Sequence, residues 1–373
     1  MKIAAHHLES LDVFRGITIA AMILVNNPGD WGNVFAQLLH AYWTGLTGAD
    51  VVFPWFIFIM GFAMPFALAR RHGQGHARPH LHRRIARRVA WLIVLGLVLN
   101  AVAAWPAVSP LRIPGILQRI AMAYLLASLV VLHLDAGAWV VAIAALLIGH
   151  WALLTLVPFD GFPAGTLTPD HNFARYVDTV AFGTHAVTRT LDPEGLLGVI
   201  PSAATALIGA LIGDVIRRAS ADRVRIRVLL IAGGATLVAG LGWSRVLPLS
   251  KPLWTGSYVL VVTGFAMLTM AGMYAVIDVA GWRSWARPFV WLGVNPLAIY
   301  FLSDVTGHLL EQPWIRQGSG WTTTKGWIVW EGIEPALRPL RAEWASLTFA
   351  IAFTLLWIAV AGILYRRRIR IQV

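Results

Sequence analysis

The chain has 373 residues, of which 58% are hydrophobic and only 13% charged, with a formal net charge of +12 and no cysteine. Water-soluble domains carry roughly 25% charged residues, so this composition cannot cover an aqueous surface and demands a lipid-embedded chain. The lack of cysteine excludes disulfides, thiolate metal sites and a cysteine nucleophile. The basic residues cluster between apolar spans, which points to membrane topology and away from nucleic acid.

Apolar runs of membrane-crossing length predict about ten transmembrane helices, near 11–27, 49–69, 86–104, 114–133, 137–157, 196–216, 228–247, 256–280, 288–310 and 344–365. Nine to eleven spans are compatible with the pattern. The expected fold is an all-α polytopic bundle forming one domain over 1–373. The first span has no A-x-A cleavage site and leads into a longer one, so it reads as a retained helix.

In the first span, Asp12 and Arg15 stand three residues apart and can pair on one helical face. Asn26 and Asn27 end it, either as caps with Pro28-Gly29 or as hydrogen-bond donors to a substrate. His40 follows in a short apolar stretch beside Trp43, ten residues before Asp50 at the head of the second span. A neutral imidazole can take a proton or carry an acyl group, and a carboxylate can orient it.

The next loop, RRHGQGHARPHLHRRIARR, is strongly basic. Its histidines (His72, His76, His80, His82) read as part of a solvated positive loop, with metal binding as the lesser alternative. Arg112 precedes the fourth span, and Gln118 and Arg119 lie in its first turns. An arginine at the place of Arg119 suits a phosphate or carboxylate, or an internal ion pair with an acid such as Asp12 or Asp50. Asp192 is placed to cap a helix begun by Pro193, with Glu194 in its first turn.

Gly233, Gly234, Gly240 and Gly242 break the seventh span and suit close helix packing. Asn295-Pro296 is expected to break the ninth span near its middle, with Ser303, Asp304 and His308 adding polar groups. Arginine clusters at 70–88, 217–227 and 366–370 fall on one side if spans alternate, making that side, and both termini, cytoplasmic. The loops near 28–48, 158–195 and 311–343 then face outward with most of the acids and many aromatics. No phosphate-binding loop, nucleophile elbow or zinc-protease motif is present.

Five segments in order, LDVFRGITIAAMILVNNPG, LLHAYWTGLTGADVVFPWFIFIMG, RIPGILQRIAMAY, LDPEGLLGVIPS and WLGVNPLAIY, resemble the transmembrane heparan-α-glucosaminide N-acetyltransferase family. The resemblance runs from Leu11 to the last helix and looks closest to the bacterial members. It implies transfer of acetyl from cytoplasmic acetyl-CoA to the amine of a glucosamine-type sugar on the periplasmic side of an inner membrane. It places the catalytic histidine at His40, its supporting acid at Asp50 and a catalytic asparagine at Asn26. It also implies acetyl-CoA held inside the bundle, for which Arg112, Gln118, Arg119 and Asn295 are the candidate contacts, with Asn26 and Asn295 near the thioester carbonyl. No metal is expected, and the family points to a homodimer embedded in lipid.

This chain lacks the soluble lumenal domain that precedes the bundle in the lysosomal members, and its stretch between Asn26 and His40 is a few residues longer. Whether His40 works as general base or transient acetyl carrier stays open. The rival reading is a transporter of N-acetylglucosamine or chito-oligosaccharides.

Overall fold

The computed structural model describes residues 8–72, 78–186, 192–318 and 320–371. Fourteen helices appear among them: α1 (Glu9–Asn26), α2 (Gly48–His72), α3 (Arg78–Ala103), α4 (Ile116–His133), α5 (Ala136–Leu156), α6 (Phe173–Phe182), α7 (Val199–Arg218), α8 (Asp222–Trp243), α9 (Gly256–Met273), α10 (Arg287–Val294), α11 (Pro296–Leu310), α12 (Thr324–Trp327), α13 (Glu334–Leu337) and α14 (Ala342–Arg366). A hairpin of β1 (Ile315–Gln317) and β2 (Gly320–Thr322) interrupts the helical pattern in the last outer loop.

Among the described residues, eight helices are long and apolar enough to cross a membrane: α2, α3, α4, α5, α7, α8, α9 with its continuation to Val279, and α14. The α10–α11 pair adds a ninth if counted as one span, bent by 79° at Asn295. The bend is the expected one, because Pro296 offers no N–H and starts a new helix instead of continuing the old. Helix α1 carries three charged residues, Glu9, Asp12 and Arg15, in its first two turns and is not among these eight. The Asp12–Arg15 pair forms at 3.1 Å, and Arg15 also donates to the Gly293 carbonyl.

Helices α2 and α7 form the centre of the bundle and are buried on most sides, whereas α3, α5 and α8 keep most of their apolar surface outward, where lipid would sit. The two central helices approach backbone to backbone. A Cβ on Gly61 would come within 1.9 Å of the Ala206 carbonyl oxygen, and one on Gly209 within 2.2 Å of the Phe58 oxygen, so only glycine permits this contact. In α8, Gly233 and Gly240 pack against α9 as expected from the sequence, while Gly234 and Gly242 face open space.

The segment 192–198 differs from expectation. It is a chain of turns, and α7 begins only at Val199. Asp192 does not cap a helix; it accepts the Glu194 N–H at 3.0 Å and binds Arg112.

Candidate active site

The heart of the site is the N-terminus of α2. Thr47-Gly48-Ala49-Asp50 has the spacing of a capping box, in which the fourth residue reaches back to the N-cap. Asp50 Oδ2 accepts the Thr47 N–H at 3.0 Å, the Thr47 hydroxyl at 3.0 Å and the Ala41 N–H at 3.1 Å. These bonds fix a fully buried carboxylate and curl the preceding loop back over the helix end. Asp50 Oδ1 is thereby left for one more donor, and Nδ1 of His40 fills that place at 2.9 Å.

The same box defines the tautomer. A carboxylate only accepts, so Nδ1 carries the hydrogen and Nε2 keeps its lone pair. The imidazole is about half exposed, so its basic nitrogen can be reached from outside the bundle. This is the arrangement of a general base or acyl carrier held in one tautomer by an acid.

Three further segments close around this loop. The Trp43 indole donates to the Leu167 carbonyl at 2.8 Å, and the Gly45 N–H donates to Leu249 at 2.9 Å. Gly45 sits at φ +109°, which favours glycine. Leu154, Ala174, Leu197 and Leu253 form a small apolar cluster beneath, against which Trp43 packs. Lys251, from the turn between α8 and α9, places Nζ 2.9 Å from His40 Nε2 and 3.9 Å from Asp50 Oδ1. Burial pushes its pKa down to about 8, against the pull of Glu194 and Asp50.

Arg112 lies ahead of α4 and Arg119 within it. Arg112 forks onto Asp192 (3.0 and 2.6 Å) and Glu194 (2.5 Å). Burial works against its charge, but these two carboxylates outweigh it and raise its pKa. Nε and Nη2 of the guanidinium are therefore committed to these carboxylates. Arg119 is almost wholly buried; it donates to the Gly195 carbonyl at 3.0 Å and lies 5.0 Å from the Trp254 ring. Its Nε and Nη1 find no partner among the described residues, and neither does either ring nitrogen of the nearby, fully buried His150. Gln118 donates to the Ile113 carbonyl and leaves its own oxygen buried without a donor.

The two asparagines part company. Asn26 ends α1 at the same end of the bundle as His40, partly exposed and with no side-chain hydrogen bond among the described residues. Its neighbour Asn27 caps the helix by donating back to Ile23. Asn295 lies at the opposite, arginine-rich end and is spent on the C-terminal tail, donating to Ile369 O and accepting from Ile371 N, both at 2.9 Å. It is not placed beside His40.

Beside Asn295, a cavity of about 380 Å³ opens between α1, α2, α3 and α11. Arg15, Arg84 and Arg88 line its polar wall, and Phe56, Ile59 and Met60 its apolar one. Of the loop histidines, His76 lies outside the described residues, and His82 Nε2 sits 2.9 Å from His133 Nε2. No group of three metal-ligating side chains is found among the described residues.

Residues 8–247 match the family model described as heparan-alpha-glucosaminide N-acetyltransferase, catalytic. The human heparan-alpha-glucosaminide N-acetyltransferase is 28% identical over 97% of this chain, and the mouse protein of the same name is 25% identical over 98%. The alignments span 59% and 60% of those proteins, so the chain corresponds to about three-fifths of their length.

Proposed function

Because the chain belongs to the heparan-alpha-glucosaminide N-acetyltransferase catalytic family, we propose that it moves an acetyl group from cytoplasmic acetyl-CoA to the amine of a glucosamine-type sugar presented from the other side of a bacterial inner membrane. The observation that carries this reading is the His40–Asp50 pair: a half-exposed imidazole in a defined tautomer, buttressed by a buried carboxylate with four donors.

In this reading the acceptor reacts as the free amine. Its nitrogen attacks the thioester carbonyl, the C–N bond forms and the C–S bond breaks. The amine proton passes to Nε2 of His40 and from there to the departing sulfur, so the donor leaves as a free thiol. Asp50 stabilises the transient imidazolium. Asn26, a helix-end amide with no side-chain hydrogen bond among the described residues, is the candidate donor to the thioester oxygen.

The arginine-lined cavity suits the donor's phosphates, a task for which guanidinium groups are fitted. It takes over the role that the sequence assigned to Arg112. Nine residues of α2, about 14 Å of helix axis, separate Asp50 from Ile59 in the cavity wall, a path along which the donor's extended arm can reach. The acid and aromatic side chains of the outer loops suit a cationic sugar. Counting α1 and the bent pair gives ten spans with both termini on the arginine-rich, cytoplasmic side, in a protein that works as a homodimer.

The test is direct. Purified protein, labelled acetyl-CoA and glucosamine should give N-acetylglucosamine and free CoA, and His40→Ala should abolish the product. Uptake of intact sugar into vesicles without acetyl transfer would establish the transporter reading instead.

A further inference from the structure

We propose that Lys251 is a positioning residue for His40: its ammonium lies against the ring, 2.9 Å from Nε2 and 3.9 Å from Asp50 Oδ1, and keeps Nε2 free of a proton until substrate displaces it. The proposal rests on the acetyl-transfer reading of His40 and adds to it a residue 211 positions away in the chain.

The turn that carries Lys251 is built to hold it still. Ser250, Leu253, Trp254 and Thr255 are buried. Thr255 Oγ1 donates to the Pro248 carbonyl at 2.9 Å, and Ser257 Oγ donates to Leu247 at 2.6 Å. The Trp254 N–H closes the turn on the Lys251 carbonyl at 3.0 Å. The Gly45–Leu249 backbone bond stitches this turn to the loop that carries His40. Neither partner is left to find the other by diffusion of a long side chain.

An ammonium in so enclosed a place needs acceptors. Lys251 Nζ lies 2.9 Å from Nε2 and 3.0 Å from Nδ1 of His40. Only Nε2 has a lone pair to offer, because Nδ1–H is committed to Asp50. The charged groups that face Lys251 are His40 from the 27–47 loop, Asp50 from α2, Glu194 from the 192–198 turns and Arg119 from α4.

Two opposing influences therefore meet on one ring. Asp50 attracts a proton to the imidazole, and Lys251 repels one from the same ring. A protonated imidazole can neither accept a proton nor attack a thioester. Burial brings the lysine pKa to about 8, so the enclosed ammonium is weakly held, and an arriving amine can displace it from Nε2 without any proton being transferred.

The experiment compares full-length wild type with Lys251→Met, Lys251→Gln and Lys251→Arg in detergent. One readout is kcat/KM for acetyl transfer against pH. The other needs no donor: the rate at which diethyl pyrocarbonate modifies His40, followed against pH by peptide mass spectrometry. Loss of the positive charge in Lys251→Met or Lys251→Gln should move the acid-side midpoint of both profiles to higher pH, by about tenfold in proton concentration. Lys251→Arg should restore it. The glutamine variant keeps a donor of similar length and serves if the methionine variant does not fold. Unchanged midpoints, or a uniformly lower rate with unchanged midpoints, overturn the proposal. If the modification midpoint moves but acetyl transfer survives His40→Gln, Lys251 keeps its positioning role and the assignment of His40 as the catalytic base falls instead.

Discussion

The phenol of Tyr258 donates a 2.6 Å hydrogen bond to the backbone carbonyl of Asp50. In an uninterrupted helix that carbonyl would accept the N–H four residues on, but the residue there is Pro54, which has none. Helix α9 thus supplies the donor that α2 lacks, at the very residue that orients His40. Tyr258→Phe leaves a buried carbonyl unsatisfied, and the expected loss is about 1–3 kcal/mol of stability. The acetylation rate should fall as well, because the Asp50 main chain is loosened. Thermal denaturation and single-turnover rates on the same preparation check both parts.

Asp50→Asn should be far more damaging to rate than to folding. An amide in place of the carboxylate can present an N–H to Nδ1 and so stabilise the wrong tautomer, with the hydrogen on Nε2. Nδ1 is turned into the protein, so the reachable nitrogen would no longer be basic. A fall in kcat of about 10²–10⁴-fold is expected, with KM little changed. A loss confined to KM would place Asp50 in substrate binding instead.

The ten-residue spacing of His40 and Asp50 does not by itself define a pair, because the chain must fold back to bring them together; the pair is read from the family motif, and the bonds from Thr47 and Ala41 to Asp50 are what the structure adds. The spans are legible because an apolar run states its own length. The partners of Arg112, Asp192 and Glu194, lie in a loop about 80 residues away, so no local pattern links them to it, and the capping pattern at 192–194 offers a sufficient local explanation of both acids. Lys251 was missed altogether. One signal could have exposed it: of 30 basic residues only three are lysines, and Lys251 and Lys325 both fall on the acid-rich side. The arginines define topology, whereas these two lysines depart from it and each meets a carboxylate or imidazole. Asn295 reads as a helix break and is one, but no local pattern shows that its amide is already taken by the tail.

Asp178 carries a testable pH signature. It sits on α6, outside the membrane-crossing helices, and burial raises its pKa to about 6, helped by Asp192 and opposed by the Leu196 N–H and Arg119. The folded state binds this proton more tightly than the unfolded chain does. Its ionised form is therefore a cost, fully present above about pH 6 and relieved as pH falls toward 3.8. Asp178→Asn keeps an oxygen for the 2.8 Å bond from Leu196 and removes the charge. The variant should be more stable than wild type at pH 7.5, by up to about 3 kcal/mol, and the difference should vanish near pH 4. Denaturation midpoints across pH 4–8 provide the check, and a difference independent of pH would mean that packing, not charge, is responsible.

The outer loops are fastened by a second charged group whose two halves should respond unequally. Lys325 is almost fully buried, donating to the Pro28 carbonyl at 3.2 Å and to Glu311 at 2.5 Å, while Glu311 also accepts from the Trp31 indole at 3.3 Å. Burial raises the Glu311 pKa, but the bonds from His308, Lys325 and Trp31 outweigh it and bring it to about 2. The stabilisation is present above about pH 4.5 and lost as pH falls toward 2. Glu311→Gln strands an ammonium in a buried place, whereas Lys325→Met leaves a carboxylate that is about one-third exposed and still reaches water. Breaking a buried pair costs most when the deeper charge is the one left behind. Glu311→Gln should therefore lower the denaturation midpoint more than Lys325→Met does, and the double variant should recover part of the loss. Equal effects from the two single changes would mean that the pair contributes through its contacts alone, with no penalty for the stranded charge.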